Sequence, residues 1–227
     1  MYRTTDEFST AHGIKGLVYA RAKVGKTVLA ATLPNVLVVA CEPGLLSLAP
    51  YKLPFIEANT SRQLKEVANW IEGSAEARQF QNFYIDGFTE IAENIVAEER
   101  PKSGTNKFHP YQELQVQGLE LMKRFRDIKG PNTILTCKCT RDKDESTGGI
   151  KYQPDFPGAK LGIASPYVFD FVFAMDILED HVKKTKDRIL RCQPNASWEA
   201  GDRSGRLNEF EPPNLQYVFD KIRGVVR

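Results

Sequence analysis

The run Ala20-Arg21-Ala22-Lys23-Val24-Gly25-Lys26-Thr27 carries the groups needed to hold a polyphosphate. Gly25 permits a backbone conformation and a close approach that a side chain would obstruct. Successive N–H groups can then face one anion. Lys26 supplies a point charge for the β and γ phosphates, and Thr27 offers a hydroxyl to magnesium. A helix starting near Lys26 and running through Val28 adds unpaired N–H groups and the positive end of its dipole. Arg21, Ala22, Lys23, Val24, Gly25, Lys26, Thr27 and Val28 are therefore the candidate nucleotide-binding segment. Within it Arg21 and Lys23 read either as phosphate contacts or as solvated loop charges.

Two carboxylates belong with this loop. Asn82-Phe83-Tyr84-Ile85-Asp86 reads as a strand ending in an acid, the Walker B pattern, which places Asp86 where it can hold magnesium through water. Hydrolysis also needs a group that orients or polarises the attacking water. Asp86 is followed by Gly87, so the AAA+ arrangement, with a Glu directly after the Walker B Asp, is missing. Glu42, just beyond the strand-like run from Asn35 to Cys41, is the candidate for that work, the alternative being a surface loop carboxylate.

These residues need a scaffold. Lys15 to Tyr19, Asn35 to Cys41, Asn82 to Asp86 and Asn132 to Cys137 read as short strands, and Lys15 to Tyr19 leads straight into the phosphate loop. Between them lie helical patterns. Leu64, Val67, Ala68 and Ile71 follow i, i+3, i+4, i+7 behind a cap at Thr60 or Ser61. Phe88, Ile91, Ala92, Ile95 and Val96 repeat the stripe. Leu114, Leu121, Met122, Phe125 and Ile128 form a third, interrupted by Gly118 on the same face. Strands alternating with amphipathic helices predict an α/β fold with a mainly parallel sheet flanked by helices. Thr140 to Lys160, rich in charge, Gly and Pro, reads as a loop. Further strands are expected at Phe171 to Ile177 and Arg188 to Cys192, and a last helix from Asn214 to Arg223 after Pro212-Pro213.

Composition sets outer bounds. The chain has 227 residues, 41% hydrophobic and 26% charged, the mixture of a globular domain able to bury a core, and it reads as one domain over residues 1–227. A formal charge of +2 makes any nucleic-acid contact a matter of local patches. Met1 to Thr10 lacks the pattern of a leader, and the apolar runs are too short to span a bilayer, so a soluble, cytoplasmic protein with no membrane partner is expected. Cys41, Cys137, Cys139 and Cys192 contain no CxxC pair and read as buried thiols.

A phosphate loop, then a strand leading into Glu42, then a strand ending in Asp86, is an order that resembles the RecA-like ATPase core over most of the chain. More narrowly it resembles the short phage-encoded RecA-like nucleotide-binding proteins, including the Sak class of single-strand annealing proteins that lack RecA's flanking domains. Asp202-Arg203-Ser204-Gly205-Arg206-Leu207, followed by Pro212-Pro213-Asn214-Leu215, is similar to a C-terminal segment of that group. Where that segment often reads Lys-Asp-Arg, Gly201 stands in place of the Lys, so no lysine contact carries over.

The resemblance implies a RecA-like P-loop NTPase core, ATP and Mg2+ as cofactors, and a homo-oligomer acting on single-stranded DNA in the host cytoplasm, with a single-strand binding protein as a further partner. It makes Arg203 a candidate for reaching a neighbouring subunit's phosphates, the alternative being a surface arginine paired to Asp202. It makes Lys138 a γ-phosphate sensor or, equally, an exposed strand-end charge. Two loops would face DNA: Arg100 to His109, with Arg100, Lys102, Lys107 and Phe108, and Thr140 to Lys160, with Arg141, Lys143 and Lys151 set against Asp142, Asp144, Glu145 and Asp155. Phe8-Ser9-Thr10-Ala11 matches a Phe-x-x-Ala docking motif of RecA-like recombinases. The functional expectation is an ATPase acting in phage recombination or annealing. A nucleotide-gated oligomeric binding protein with little hydrolysis, or a helicase-loader-like ATPase, is the alternative. A small-molecule kinase would need an acceptor pocket and a lid, neither of which is evident.

Overall fold

The structure, a computed structural model, describes residues 12–143, 148–180 and 185–226. Phe8-Ser9-Thr10-Ala11, Asp144 and Glu145 lie outside the described residues.

β1 (Lys15–Ala20) is buried along its whole length and feeds the phosphate loop. α1 (Lys26–Leu29) follows the loop and is continued by a tight turn over Ala30–Thr32. β2 (Val36–Ala40) is also fully buried, and β3 (Phe55–Glu57) lies at the sheet edge. α2 (Ser61–Gly73) starts from a capping box in which Thr60 and Gln63 satisfy each other's backbone N–H groups. β4 (Asn82–Asp86) leads through Gly87 into α3 (Phe88–Glu99), and α4 (His109–Asp127) returns to β5 (Asn132–Lys143). Then come β6 (Ile150–Asp155), α5 (Ala159–Ala164), β7 (Phe171–Asp180), β8 (Thr185–Arg191), β9 (Gly201–Asp202), β10 (Phe210–Glu211) and α6 (Leu215–Ile222).

The sheet runs in the order β10-β8-β7-β1-β5-β4-β2-β3, and the six strands from β7 to β3 are parallel. β1, β2 and β4 are buried on both faces, which explains their unbroken apolar runs, since a covered parallel strand has no solvent side to mark with polar residues. One face packs against α2, α3 and α4; the other carries α1 and α6. The interrupting Gly118 of α4 is where Leu161 of α5 packs, 2.8 Å from the position a Cβ would take.

Register brings four positions to one edge. Ala20 lies opposite Lys138, and Ala40 opposite Asp86, so the phosphate loop, Glu42, Asp86 and Lys138 all stand at the carboxyl ends of parallel strands. That is where ligands bind in open α/β sheets. α3 stays at this edge, because Thr89 donates to the Asp155 carbonyl, Asn94 to the Asn59 carbonyl, and Glu93 meets Lys138.

The stretch from Thr140 to Lys160 departs from the loop expectation. β5 continues to Lys143 and pairs with β6 in antiparallel register, Arg141 opposite Tyr152 and Lys143 opposite Ile150. The charged alternation that suggested a loop is a pleated arm, with α5 beginning at Ala159. β3 escapes a periodicity reading because three residues after Pro54 are too few to show one.

Candidate active site

Gly25 caps α1 with φ 119°, a left-handed conformation suited to glycine. A Cβ there would also lie 3.2 Å from Met175 Cε and 3.5 Å from Arg188 Nε, so both space and conformation call for glycine. Lys23 has a positive φ of 64°, the other sharp point of the loop, while Val24 is buried and anchors it. Ala22 and Lys23 are exposed, and Thr27 and Val28 half-buried. Lys26 Nζ donates to the Ala20 carbonyl at 3.2 Å, which folds the side chain back over the loop. The buried Tyr84 hydroxyl donates to the Lys26 carbonyl at 2.6 Å and fixes the loop from β4.

Arg21 is exposed, and its charge is engaged outside the loop. Its guanidinium pairs with Asp176 at 2.9 Å, and Asp176, nearly buried on β7, also takes Arg191 at 3.2 Å. The loop is thus braced to the neighbouring strand.

Asp86 is 3% exposed. Thr136 donates to its Oδ1 at 2.8 Å and accepts from the Gly87 N–H at 2.9 Å, so one hydroxyl fixes both the carboxylate and the turn after it. Among the described residues no hydrogen bond goes to Oδ2, so Asp86 keeps one oxygen with which it could hold a cation, as Thr27 could with its hydroxyl. Such a donor set fits magnesium, which takes few protein ligands and keeps waters and phosphate oxygens. No group of three or more His, Cys, Asp or Glu suited to a metal occurs among the described residues.

Glu42 reaches the same place from the adjacent strand. Gly87 has φ 91°, and a Cβ on it would lie 2.8 Å from Glu42 Cγ and 3.0 Å from Cδ. The side chain of Glu42 therefore lies over the residue that follows the Walker B Asp. Burial, then the Asp86 charge, raises the Glu42 pKa, while Lys26 and Lys138 work to lower it. It is half-buried, and a cavity of about 330 Å³, lined by Ala40, Glu42, Phe55, Glu57 and Asn59 among others, opens beside it.

Lys138 stands opposite Ala20 but its ammonium is engaged, 2.6 Å from Glu93 and 4.0 Å from Glu90. Arg203 is not brought to the loop of its own chain. It pairs with Asp170 at 2.8 Å, and the Asp170 N–H donates to the Lys15 carbonyl at the start of β1. That is a strand length away from the phosphate loop, about 20 Å at 3.3 Å per residue. Nor is its partner Asp202, whose carboxylate instead accepts from the backbone of Ser204, Arg206 and Leu207.

Of the cations expected to face DNA, Lys102 pairs with Glu99 at 2.7 Å and Lys151 with Glu199 at 2.9 Å. Arg100, Lys107 and Phe108 are exposed where α3 turns into α4. Arg141 and Lys143 share one face of the arm with Tyr152 and Ile150. Thr136, Asp176 and Arg188 were not singled out by sequence. Thr136 had a legible signal, a polar residue inside the apolar run Ile134-Leu135-Thr136-Cys137. The other two had none, because their roles come from strands paired across the sheet.

An α/β P-loop NTPase fold with a mixed, mostly parallel sheet is thereby defined. A family model described as an AAA domain matches residues 12–204, and the chain belongs to that family. It is a nucleotide-binding AAA-type ATPase domain. A crystal structure of a KaiC-like protein from the hyperthermophilic archaeon Pyrococcus horikoshii OT3 is similar, with 16% identity, 82% of each chain covered and a TM-score of 0.45. No curated protein matches. Among the described residues no helix is long and apolar enough to cross a membrane.

Proposed function

We propose that this chain binds ATP with magnesium at the phosphate loop and hydrolyses it, and that the nucleotide state gates its assembly with other copies. The observation that carries the reading is Glu42 lying over Gly87, beside Asp86 and within the field of Lys26. Lys26 holds the β and γ phosphates, Thr27 and Asp86 hold the metal, and the ionised Glu42 orients and polarises the attacking water. Magnesium, when bound, neutralises charge on the phosphates. Lys138, next to Glu42, senses the γ-phosphate by exchanging Glu93 for it. Arg203 would act only on a neighbouring copy, after releasing Asp170.

The test is Glu42→Gln, which keeps the shape and removes the base. ATP binding should persist while turnover falls by about a hundredfold or more. A variant that hydrolyses like the parent would remove Glu42 as the base, and a parent chain that itself turns over little would leave the nucleotide-gated reading, or a helicase-loader-like role, in its place. Lys26→Ala should weaken ATP binding at least about tenfold.

A second reading concerns the partner. The pleat of the arm sorts charges that cancel along the sequence: Arg141 and Lys143 fall on the face of Tyr152 and Ile150, while Asp142 points to the other face, where Gln153 donates to it. Tyr152 is itself stacked on Trp198, so this face offers a nucleic-acid strand cations, and the exposed ring for a base is Phe108. With the Sak-class resemblance, this supports single-stranded DNA as the partner, Arg100, Lys107 and Phe108 being a second contact. The roles in phage recombination and beside a single-strand binding protein rest on the resemblance alone. Affinity for oligo-dT should fall with salt, log against log, at about −0.7 per phosphate neutralised, and a flat response would remove the DNA reading.

A further inference from the structure

The β7–β8 hairpin sets a cation against the phosphate loop. Paired residues of the two strands share a face, so Met175 and Leu190, then Ile177 and Arg188, point to the side that carries the loop and α1. Arg188 Nε and Cδ lie 3.5 Å and 3.7 Å from where a Gly25 Cβ would be. The guanidinium thus abuts the loop at its closest backbone point, in the same chain.

Charge pairing around it is uneven. On the opposite face of the hairpin Asp176 pairs with both Arg21 and Arg191. On the Arg188 face, Lys186 has Glu179 directly across the ladder at 2.6 Å. Arg188 has Ile177 across from it and no carboxylate partner among the described residues. Arg188 is exposed, so water and not a carboxylate solvates its planar, permanently charged fork, which leaves the fork open to an anion that arrives at the loop. Lys26 is folded back onto the Ala20 carbonyl.

We propose that Arg188 is a phosphate-binding residue of its own chain's nucleotide site, placing two N–H donors on the γ-phosphate and stabilising the charge that grows there as the bond to the β-phosphate breaks. This rests on the reading of the phosphate loop as an ATP site. Arg188, and not Arg203, is then the arginine that a single chain brings to the triphosphate.

Binding of a non-hydrolysable ATP analogue and of ADP, each with magnesium, is measured by calorimetry on the full chain carrying Arg188→Ala, Arg188→Lys or Lys26→Ala. Arg188→Ala should weaken the ATP analogue at least about tenfold, leave ADP within about threefold, and lower turnover about a hundredfold. Arg188→Lys should recover part of the binding, since charge is kept and the fork lost. Unchanged binding and turnover in Arg188→Ala, or equal losses for ATP analogue and ADP, would overturn the proposal. Mixing Arg188→Ala with Glu42→Gln chains separates action within a chain from action between chains: no recovery of turnover is expected, and recovery would overturn it. If Lys26→Ala binds the ATP analogue like the parent, it is the phosphate-loop reading that fails. Loss in Lys26→Ala with none in Arg188→Ala removes Arg188 alone.

Discussion

The side chain of Glu42 occupies the space that a side chain at Gly87 would fill, its Cγ lying 2.8 Å from the place of the missing Cβ. In the arrangement with a Glu after the Walker B Asp, one strand supplies both acids. Here β4 supplies Asp86, and the chain just beyond the neighbouring β2 supplies Glu42, with Ala40 opposite Asp86 setting the register. The glycine is what lets the second acid in.

Gly87→Ala should therefore fail on two counts. The positive φ of 91° strains any Cβ, and the methyl group meets Glu42. A loss of about 1 to 3 kcal/mol in urea unfolding is expected. Turnover should drop further than ATP binding does, because the displaced group is the proposed base and not the loop. Equal stability and turnover would mean that Glu42 has room elsewhere.

As the proposed base Glu42 would act only when ionised, and burial followed by the Asp86 charge holds its pKa above the ordinary glutamate value. Hydrolysis should fall on the acid side, through a pKa higher than that of a free glutamate. Lys138 favours the ionised form, so Lys138→Met should move this acid limb to higher pH. Carbon NMR of the labelled Glu42 carboxyl in the nucleotide-free chain checks the same direction apart from turnover, and an ordinary value there would contradict it.

Thr136→Val removes the hydroxyl that joins Asp86 Oδ1 to the Gly87 N–H and leaves that N–H unpaired. About 1 to 3 kcal/mol of stability should go with it, together with some magnesium affinity. Thr136→Ser should restore both. Chemical denaturation and a magnesium titration of nucleotide binding read the two effects.

Lys15 is 1% exposed at the start of β1, with its ammonium donating to the Pro131 carbonyl at 2.6 Å. Burial pushes its pKa down to about 7 against the pull of Asp127 and Asp170. The native chain then sheds this proton near pH 7, while the unfolded chain keeps it until near 10.5. The unfolded state binds more protons in that window, so stability should rise with pH from about 7, by at most about 1.4 kcal/mol per unit, and level off as the unfolded lysine titrates. Lys15→Met should remove this contribution from the slope of unfolding free energy between pH 7 and 10. A slope equal to that of the parent would show that Lys15 keeps its ordinary pKa.

Local chemistry was legible in the sequence. Strand, glycine loop and helix follow one another in the run from Lys15 to Ala30, and such a unit is built from neighbouring residues whose spacing alone specifies it. The amphipathic stripes of α2 and α3 are where the periodicity put them. The arm is not legible in the sequence, because alternation of Arg, Asp and Lys looks alike in a charged loop and in two strands that pair with each other beyond the sheet.

The sequence by itself determined that a phosphate loop sits at the end of a buried strand, and that acids stand at the ends of two others. Only the tertiary structure decided which acid lies over Gly87, which cation reaches Gly25, and that Arg203 stands at the far edge of the sheet. The reason is that parallel register and hairpin pairing join residues far apart along the chain. Their distances follow from burying both faces of the sheet at once, which no single stretch of residues records.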